Sequence, residues 1–167
     1  MESFTWTEAT IPSLESGGLY YLVLGIHCRA PQLYSEEIVG SEAIRVLVVD
    51  HNRLMREGLI LLVGLQPDMQ LAGAAETAEQ TVRLYIEQRP DVTLMDLDLP
   101  GRAAIAAIRK IRELHPGARI VALTTYEPDA TWTEALNAGA YQCVAKDDLD
   151  GLPHLIRGSG RRRSQNP

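Results

Sequence analysis

Val92-Thr93-Leu94-Met95-Asp96-Leu97-Asp98-Leu99-Pro100-Gly101 decides how this chain folds. An apolar run of strand length delivers a carboxylate, Asp96, and a Pro-Gly turn follows at once. A run that is apolar at successive positions suits a strand covered on both faces, as in a parallel sheet. In an open parallel α/β sheet, function gathers just beyond the carboxyl ends of the strands. Asp96 is therefore the first candidate for the residue that carries the chemistry.

The chain on either side repeats the pattern. Upstream, Ile44-Arg45-Val46-Leu47-Val48-Val49 is a second apolar run that also ends in an acid, Asp50. Asn52 fits an N-cap. A helix follows with Met55, Leu59 and Leu62 on one face, ending near Gly64. Met69 to Ala74 reads as a strand and Ala78 to Gln88 as a helix, stopped by Arg89-Pro90. Downstream of the central run, which reads as a strand from Val92 to Leu97, a helix from about Arg102 to Leu114 carries the stripe Ile105, Ile108 and Ile111. Arg119 to Thr124 is the fourth strand. A helix over about 129–137 ends at Gly139. Tyr141 to Ala145 is the fifth strand, with Lys146 at its end. A last helix begins near Leu149 or Gly151, weakened by Pro153 and Gly158.

Strict alternation of strand and helix implies right-handed crossovers, with helices on both faces of one sheet. The expected fold is α/β: a five-stranded, doubly wound, flavodoxin-like three-layer sandwich of strand order 2-1-3-4-5. That order brings Asp50, Asp96, Thr124 and Lys146 to one rim of the sheet. Two carboxylates, a hydroxyl and an ammonium around one point can handle a phosphoryl group. Asp96 would be the nucleophile, and a divalent cation would offset the repulsion between carboxylates and phosphoryl oxygens.

Composition narrows the classes. The 167 residues carry a net charge of −6, unevenly spread. Residues 1–43 hold six Glu against one Arg, whereas residues 151–167 hold four Arg and no acid. The body therefore offers no basic field for nucleic acid. Three segments are expected: an extension over 1–43, largely disordered; a folded domain over 44–156; and a basic flexible tail over 157–167. Cys28 and Cys143 form no disulfide framework and no metal-ligand spacing. The apolar patch Leu19 to Ile26 is too short for a membrane span and lacks a basic leader. The expected location is cytoplasmic, with no membrane contact.

Residues 44–150 resemble the receiver domain of two-component response regulators, nearest the NarL/FixJ-type subgroup. Val46-Leu47-Val48-Val49-Asp50 with Leu54-Met55-Arg56-Glu57-Gly58-Leu59 resembles its opening strand and helix. Pro90-Asp91-Val92 through Pro100-Gly101 resembles its phosphoacceptor strand, Leu123-Thr124-Thr125-Tyr126 its switch strand, and Gly139-Ala140 with Val144-Ala145-Lys146-Asp147 its end. The resemblance implies that Asp96 is the phosphoacceptor, Thr124 the switch hydroxyl and Lys146 the pairing lysine. It implies Mg²⁺ held by Asp50, Asp96 and the backbone carbonyl of Asp98. It also implies a histidine kinase or phosphotransfer protein as donor, and homodimerisation through the face of the fourth helix, fifth strand and fifth helix, or through the first and fifth helices.

Four departures qualify this. The family usually has two consecutive acids after its first strand; here the pair is Asp50-His51, and imidazole is a poor ligand for a hard, oxygen-seeking ion. The simplest consequence is weakened Mg²⁺ binding with the fold retained; the functional one is a turn toward a softer ion such as Zn²⁺ or Mn²⁺. Ala103-Ala104 replaces a frequent Asp-Gly pair. Cys143 stands where the family has an aromatic switch residue, and reads as a buried strand residue. The subgroup's helix-turn-helix output domain has no counterpart here, so no DNA binding is expected. The expected function is a stand-alone receiver, not an enzyme beyond self-catalysed phosphotransfer. The alternative is a pseudo-receiver adaptor with little or no phosphorylation. A third reading, from the superficial resemblance of Asp96-Leu97-Asp98 to the haloacid-dehalogenase phosphatase motif, conflicts with Pro100 and with the motif's mid-domain position.

Overall fold

The computed structural model describes residues 43–125 and 130–160. The expected extension, the Arg161-Arg162-Arg163 run and Tyr126 lie outside them. Strands β1 (Ile44–Val49), β2 (Met69–Ala75), β3 (Val92–Asp96), β4 (Ile120–Thr124) and β5 (Gln142–Ala145) alternate with helices α1 (Arg53–Gly64), α2 (Ala78–Gln88), α3 (Ala103–Leu114), α4 (Ala130–Ala138) and α5 (Leu152–Gly160). The sheet is parallel throughout, in the order β2-β1-β3-β4-β5. The expected fold class and strand order are those observed.

Period-two alternation explains the three layers. Leu47, Val49 and Met95 point to one face, where they pack with Ile105, Ile108 and Ile111 of α3, Tyr85 of α2 and Ala135 of α4. Val46, Val48 and Leu94 point to the other, against Leu59 and Val63 of α1 and Leu152 and Ile156 of α5. Every residue of β3 and β4 is buried, because helices cover both sides.

Helix ends follow local chemistry. The Asn52 side chain accepts the backbone N–H groups of Leu54 (2.9 Å) and Met55 (3.3 Å), which caps α1. The deeper residue of its last turn is Val63, not Leu62. Helix α3 starts at Ala103, after a short 3₁₀ turn, Pro100–Arg102, in which Gly101 (φ 70°) and Arg102 (φ 58°) adopt left-handed backbone. Gly139 follows α4 at φ +108°, a conformation that side chains disfavour.

The boundary of the expected tail needs correction. Helix α5 runs through Gly160, so residues 157–160 belong to the fold. Arg157 anchors them: its guanidinium donates to both carboxylate oxygens of Asp68 (2.7 and 2.8 Å) and to the side-chain oxygen of Gln66 (2.8 Å). Ser159 is buried and donates to the Leu155 carbonyl at 2.8 Å. Pro153 is tolerated because it is the second residue of the helix, where no intrahelical N–H bond is lost. No described helix is long and apolar enough to cross a membrane.

Candidate functional site

The carboxyl ends of β1, β3 and β4 and the residue after β5 meet at one rim. Asp50 leaves β1 with its side chain fully buried. Its backbone N–H donates to Ala75 of β2 (3.1 Å), and its Oδ1 accepts the N–H of Asn52 (2.8 Å). The Arg56 guanidinium reaches back from α1 to the Asp50 carbonyl at 2.6 Å. Asp96 ends β3, pairing in register with Leu123 of β4. Beyond it the chain alternates: Leu97 and Leu99 sink into the core on the α3 side. Asp98 is thereby left at the rim, its side chain about one-fifth exposed.

Lys146 joins the acids. Its N–H donates to the Thr124 carbonyl (2.7 Å), which fixes its backbone against β4. Its ammonium donates to Asp96 Oδ1 at 2.7 Å and lies 3.0 Å from Asp50 Oδ2 and 3.5 Å from Asp98 Oδ2. Asp96 Oδ1 also accepts the backbone N–H of Asp98 at 2.8 Å. Its other oxygen, Oδ2, faces His51 Nδ1 at 2.6 Å. A carboxylate can only accept, so Nδ1 carries the proton in this contact.

The charge states follow from these contacts. Burial pushes the Asp96 carboxyl up, but hydrogen bonds from Lys146, His51 and the Asp98 N–H outweigh it and hold the group below the ordinary carboxylate value. Burial pushes the Lys146 ammonium down, but the bonds and charges of Asp96 and Asp50 outweigh it and hold the group above its ordinary value. The site therefore presents an ionised carboxylate beside a charged amine.

The predicted residues Asp50, Asp96 and Lys146 come together as expected. Thr124 is buried at the end of β4, paired with Ala145. His51 turns its Nδ1 into the cluster, 3.9 Å from Asp50 Oδ1 as well as against Asp96. Asp98 is tied to the end of β4: Thr125 donates to its Oδ2 from both the backbone N–H (3.2 Å) and the hydroxyl (3.0 Å). Thr125 was not singled out by the sequence; its only signal was the Thr124-Thr125 doublet at a strand end. His51, Asn52, Met55, Asp98, Thr125 and Lys146 line an open cavity of about 510 Å³ over the cluster. Cys143 is buried on β5, as expected, with its Sγ 3.8 Å from the Trp132 carbonyl.

Residues 46–157 match the family model described as the response regulator receiver domain. The chain belongs to the response-regulator receiver family. This receiver is 39% identical over 114 residues to the response regulator GacA of Pseudomonas viridiflava, covering 68% of this chain and 52% of that protein. It thus spans about half the length of the curated relatives it matches. Among solved structures, it resembles a LuxR-family two-component response regulator from Aurantimonas sp. SI85-9A1 at a TM-score of 0.63 and 32% identity, covering 70% of this chain and 87% of that one. It also resembles the response regulator domain of Thermotoga maritima CheB at a TM-score of 0.64 and 30% identity, covering 75% and 100%. Receiver domains are phosphoacceptors of two-component systems, served by histidine kinases, and bind Mg²⁺ in an acidic pocket.

The donor set of this receiver departs from that pocket. Asp50, His51 and Asp96 each offer one ligand atom, all within 4.8 Å of one another. Three donors fit a divalent cation, but an imidazole nitrogen among them does not suit Mg²⁺, which takes oxygen ligands in a strict octahedron.

Proposed function

We propose that this receiver accepts a phosphoryl group on Asp96 from a histidine kinase or phosphotransfer protein and thereby biases a protein-interaction surface. The observation that carries the reading is the ionised, buried Asp96 with Lys146 Nζ at 2.7 Å. In the transfer, an Asp96 oxygen attacks the phosphorus of a phosphohistidine. The new P–O bond forms as the P–N bond breaks, and the electron pair leaves with the donor imidazole. Lys146 pairs with a phosphoryl oxygen, and the Thr124 hydroxyl donates to another. The Asp98 backbone carbonyl is proposed as a further cation ligand. Positioning and charge neutralisation supply most of the catalysis in such a step.

The proposed readout is a protein-interaction surface. Either the α4–β5–α5 face or the α1–α5 face would carry it, by homodimerisation or partner binding. A pseudo-receiver adaptor is the second reading, favoured by one observation: His51 already occupies Asp96 Oδ2 at 2.6 Å, the oxygen that Lys146 leaves open. Incubation with acetyl phosphate and Mg²⁺ or Mn²⁺, read by intact mass, separates the two. The phosphoacceptor reading expects an adduct that Asp96→Asn abolishes. No adduct from acetyl phosphate or from a cognate kinase leaves the adaptor reading standing.

A further inference from the structure

We propose that His51 turns the acidic rim of this receiver into a binding site for a late first-row transition ion, Zn²⁺ or Co²⁺, in preference to Mg²⁺. This rests on Asp50 and Asp96 forming the receiver's acidic pocket, and not on phosphoryl transfer itself.

The geometry is close to a coordination shell. Zn²⁺ holds imidazole nitrogen and carboxylate oxygen at about 2.0–2.2 Å, so two donors of one ion sit roughly 3–4 Å apart. His51 Nδ1 already stands 3.9 Å from Asp50 Oδ1. Its 2.6 Å contact with Asp96 Oδ2 has to open by less than about 1 Å. The ring has room to move, since the His51 side chain is 44% exposed on the loop between β1 and α1.

The Asp50 carboxylate is divided between two partners. Oδ2 is fully buried against the Lys146 ammonium at 3.0 Å, and Oδ1 is the oxygen that faces His51 Nδ1. The carboxylates are backed by the main chain: Asp50 Oδ1 accepts the Asn52 N–H at 2.8 Å, and Asp96 Oδ1, beside the Oδ2 that faces His51, accepts the Asp98 N–H at 2.8 Å. Such outer contacts orient ligands for a metal.

The donor chemistry decides which ion. An imidazole in place of a carboxylate removes one negative charge and one oxygen, and Lys146 already offsets part of what is left. Mg²⁺ is held by charge and oxygen alone, so it loses on both counts. Imidazole suits Zn²⁺ and Co²⁺, and affinity rises toward the late metals for a given nitrogen and oxygen set. His51 lines the open cavity over the cluster, and three protein ligands leave further positions for water or an anion on that side.

The test uses the whole 167-residue chain, stripped of metal and without any phosphoryl donor. Isothermal titration with Zn²⁺ and with Mg²⁺, and the visible absorbance of added Co²⁺, are compared with His51→Ala and His51→Asp. The inference expects one equivalent of Zn²⁺ at least about 100-fold tighter than Mg²⁺, and visible Co²⁺ bands that Zn²⁺ bleaches. His51→Ala weakens Zn²⁺ by about tenfold or more, and His51→Asp tightens Mg²⁺ and narrows the preference by a similar factor. Zn²⁺ affinity unchanged in His51→Ala, or Mg²⁺ binding as tight as Zn²⁺ in the native chain, overturns it. Zn²⁺ binding with no adduct from acetyl phosphate or a cognate kinase removes only the phosphoacceptor reading; an adduct without Zn²⁺ binding removes only this one.

Discussion

Lys146 stands between two buried carboxylates, and each of the three depends on the others. Its ammonium is 2.7 Å from Asp96 and 3.0 Å from Asp50, with both acids shielded from water. Removing one member of a buried charge cluster strands the rest, at a cost of about 3–5 kcal/mol. Lys146→Ala is therefore expected to destabilise the protein by about 3 kcal/mol or more, seen as a lower urea midpoint. Asp96→Asn, which keeps a hydrogen-bond acceptor for Lys146 and removes a like charge from beside Asp50, is expected to cost much less. Cys143 tests burial in a different way. Its thiol is pushed up to about 11 by desolvation on β5. Iodoacetamide at pH 8 is expected to leave Cys143 unmodified in the folded protein and to label it in urea, with peptide mass mapping as the readout. Rapid native labelling would contradict the buried placement. The residues at strand ends were legible in the sequence because an apolar run that stops at an acid or lysine marks its own terminus. The contacts of His51 with Asp96 and of Thr125 with Asp98 were not legible, since both depend on how loop backbone turns after the strand has ended.

Elements were legible where burial is two-sided. The largely apolar runs of β1, β3 and β4, interrupted at Arg45 and Thr93, suit the interior of a parallel sheet. β1 spans the expected residues, whereas β3 stops one residue early, at Asp96, and β4 begins one residue late, at Ile120; Leu97 still donates to Leu123 at 2.8 Å, so the chain leaves the sheet just past that bond. The start of α3 was misplaced by one residue: left-handed backbone at Gly101 and Arg102 inserts a 3₁₀ turn that no apolar periodicity reveals. The α4 stop shows what such backbone demands. A Cβ on Gly139 would lie 2.7 Å from Arg112 Cγ and 2.8 Å from Arg112 Nε, on a backbone at φ +108°. Gly139→Ala is expected to destabilise by about 1–3 kcal/mol in chemical denaturation. Pairing it with Arg112→Ala relieves the steric part alone, because the φ strain is intrinsic to the residue. Full recovery in the double variant would show that the contact, and not the backbone, sets the requirement.

At the scale of the whole molecule, the rim charges link folding to pH at both ends of the scale. The Asp96 carboxyl is held below its unfolded value by Lys146, His51 and the Asp98 N–H, against the opposing effect of burial. Below that unfolded value the unfolded chain binds a proton that the native protein refuses, so stability rises with pH across the interval. The Asp96 contribution is therefore complete above about pH 4 and is lost as pH falls through the folded value. Lys146 has the opposite sign. Its ammonium is held above its unfolded value by Asp96 and Asp50 despite burial. Its contribution is complete below about pH 10 and is lost as pH rises through the folded value. The urea midpoint is thus expected to form a plateau between two falling limbs. One group changes the slope by at most about 1.4 kcal/mol per pH unit, so variants are compared rather than absolute curves. Asp96→Asn is expected to flatten the acid limb and, by removing one partner of Lys146, to shorten the alkaline limb. Lys146→Met is expected to flatten the acid limb as well, because Asp96 without that partner has a folded value closer to its unfolded one. An acid limb identical in native protein, Asp96→Asn and Lys146→Met would mean that the acid sensitivity comes from carboxylates elsewhere on the chain and that the rim charges do not couple to folding.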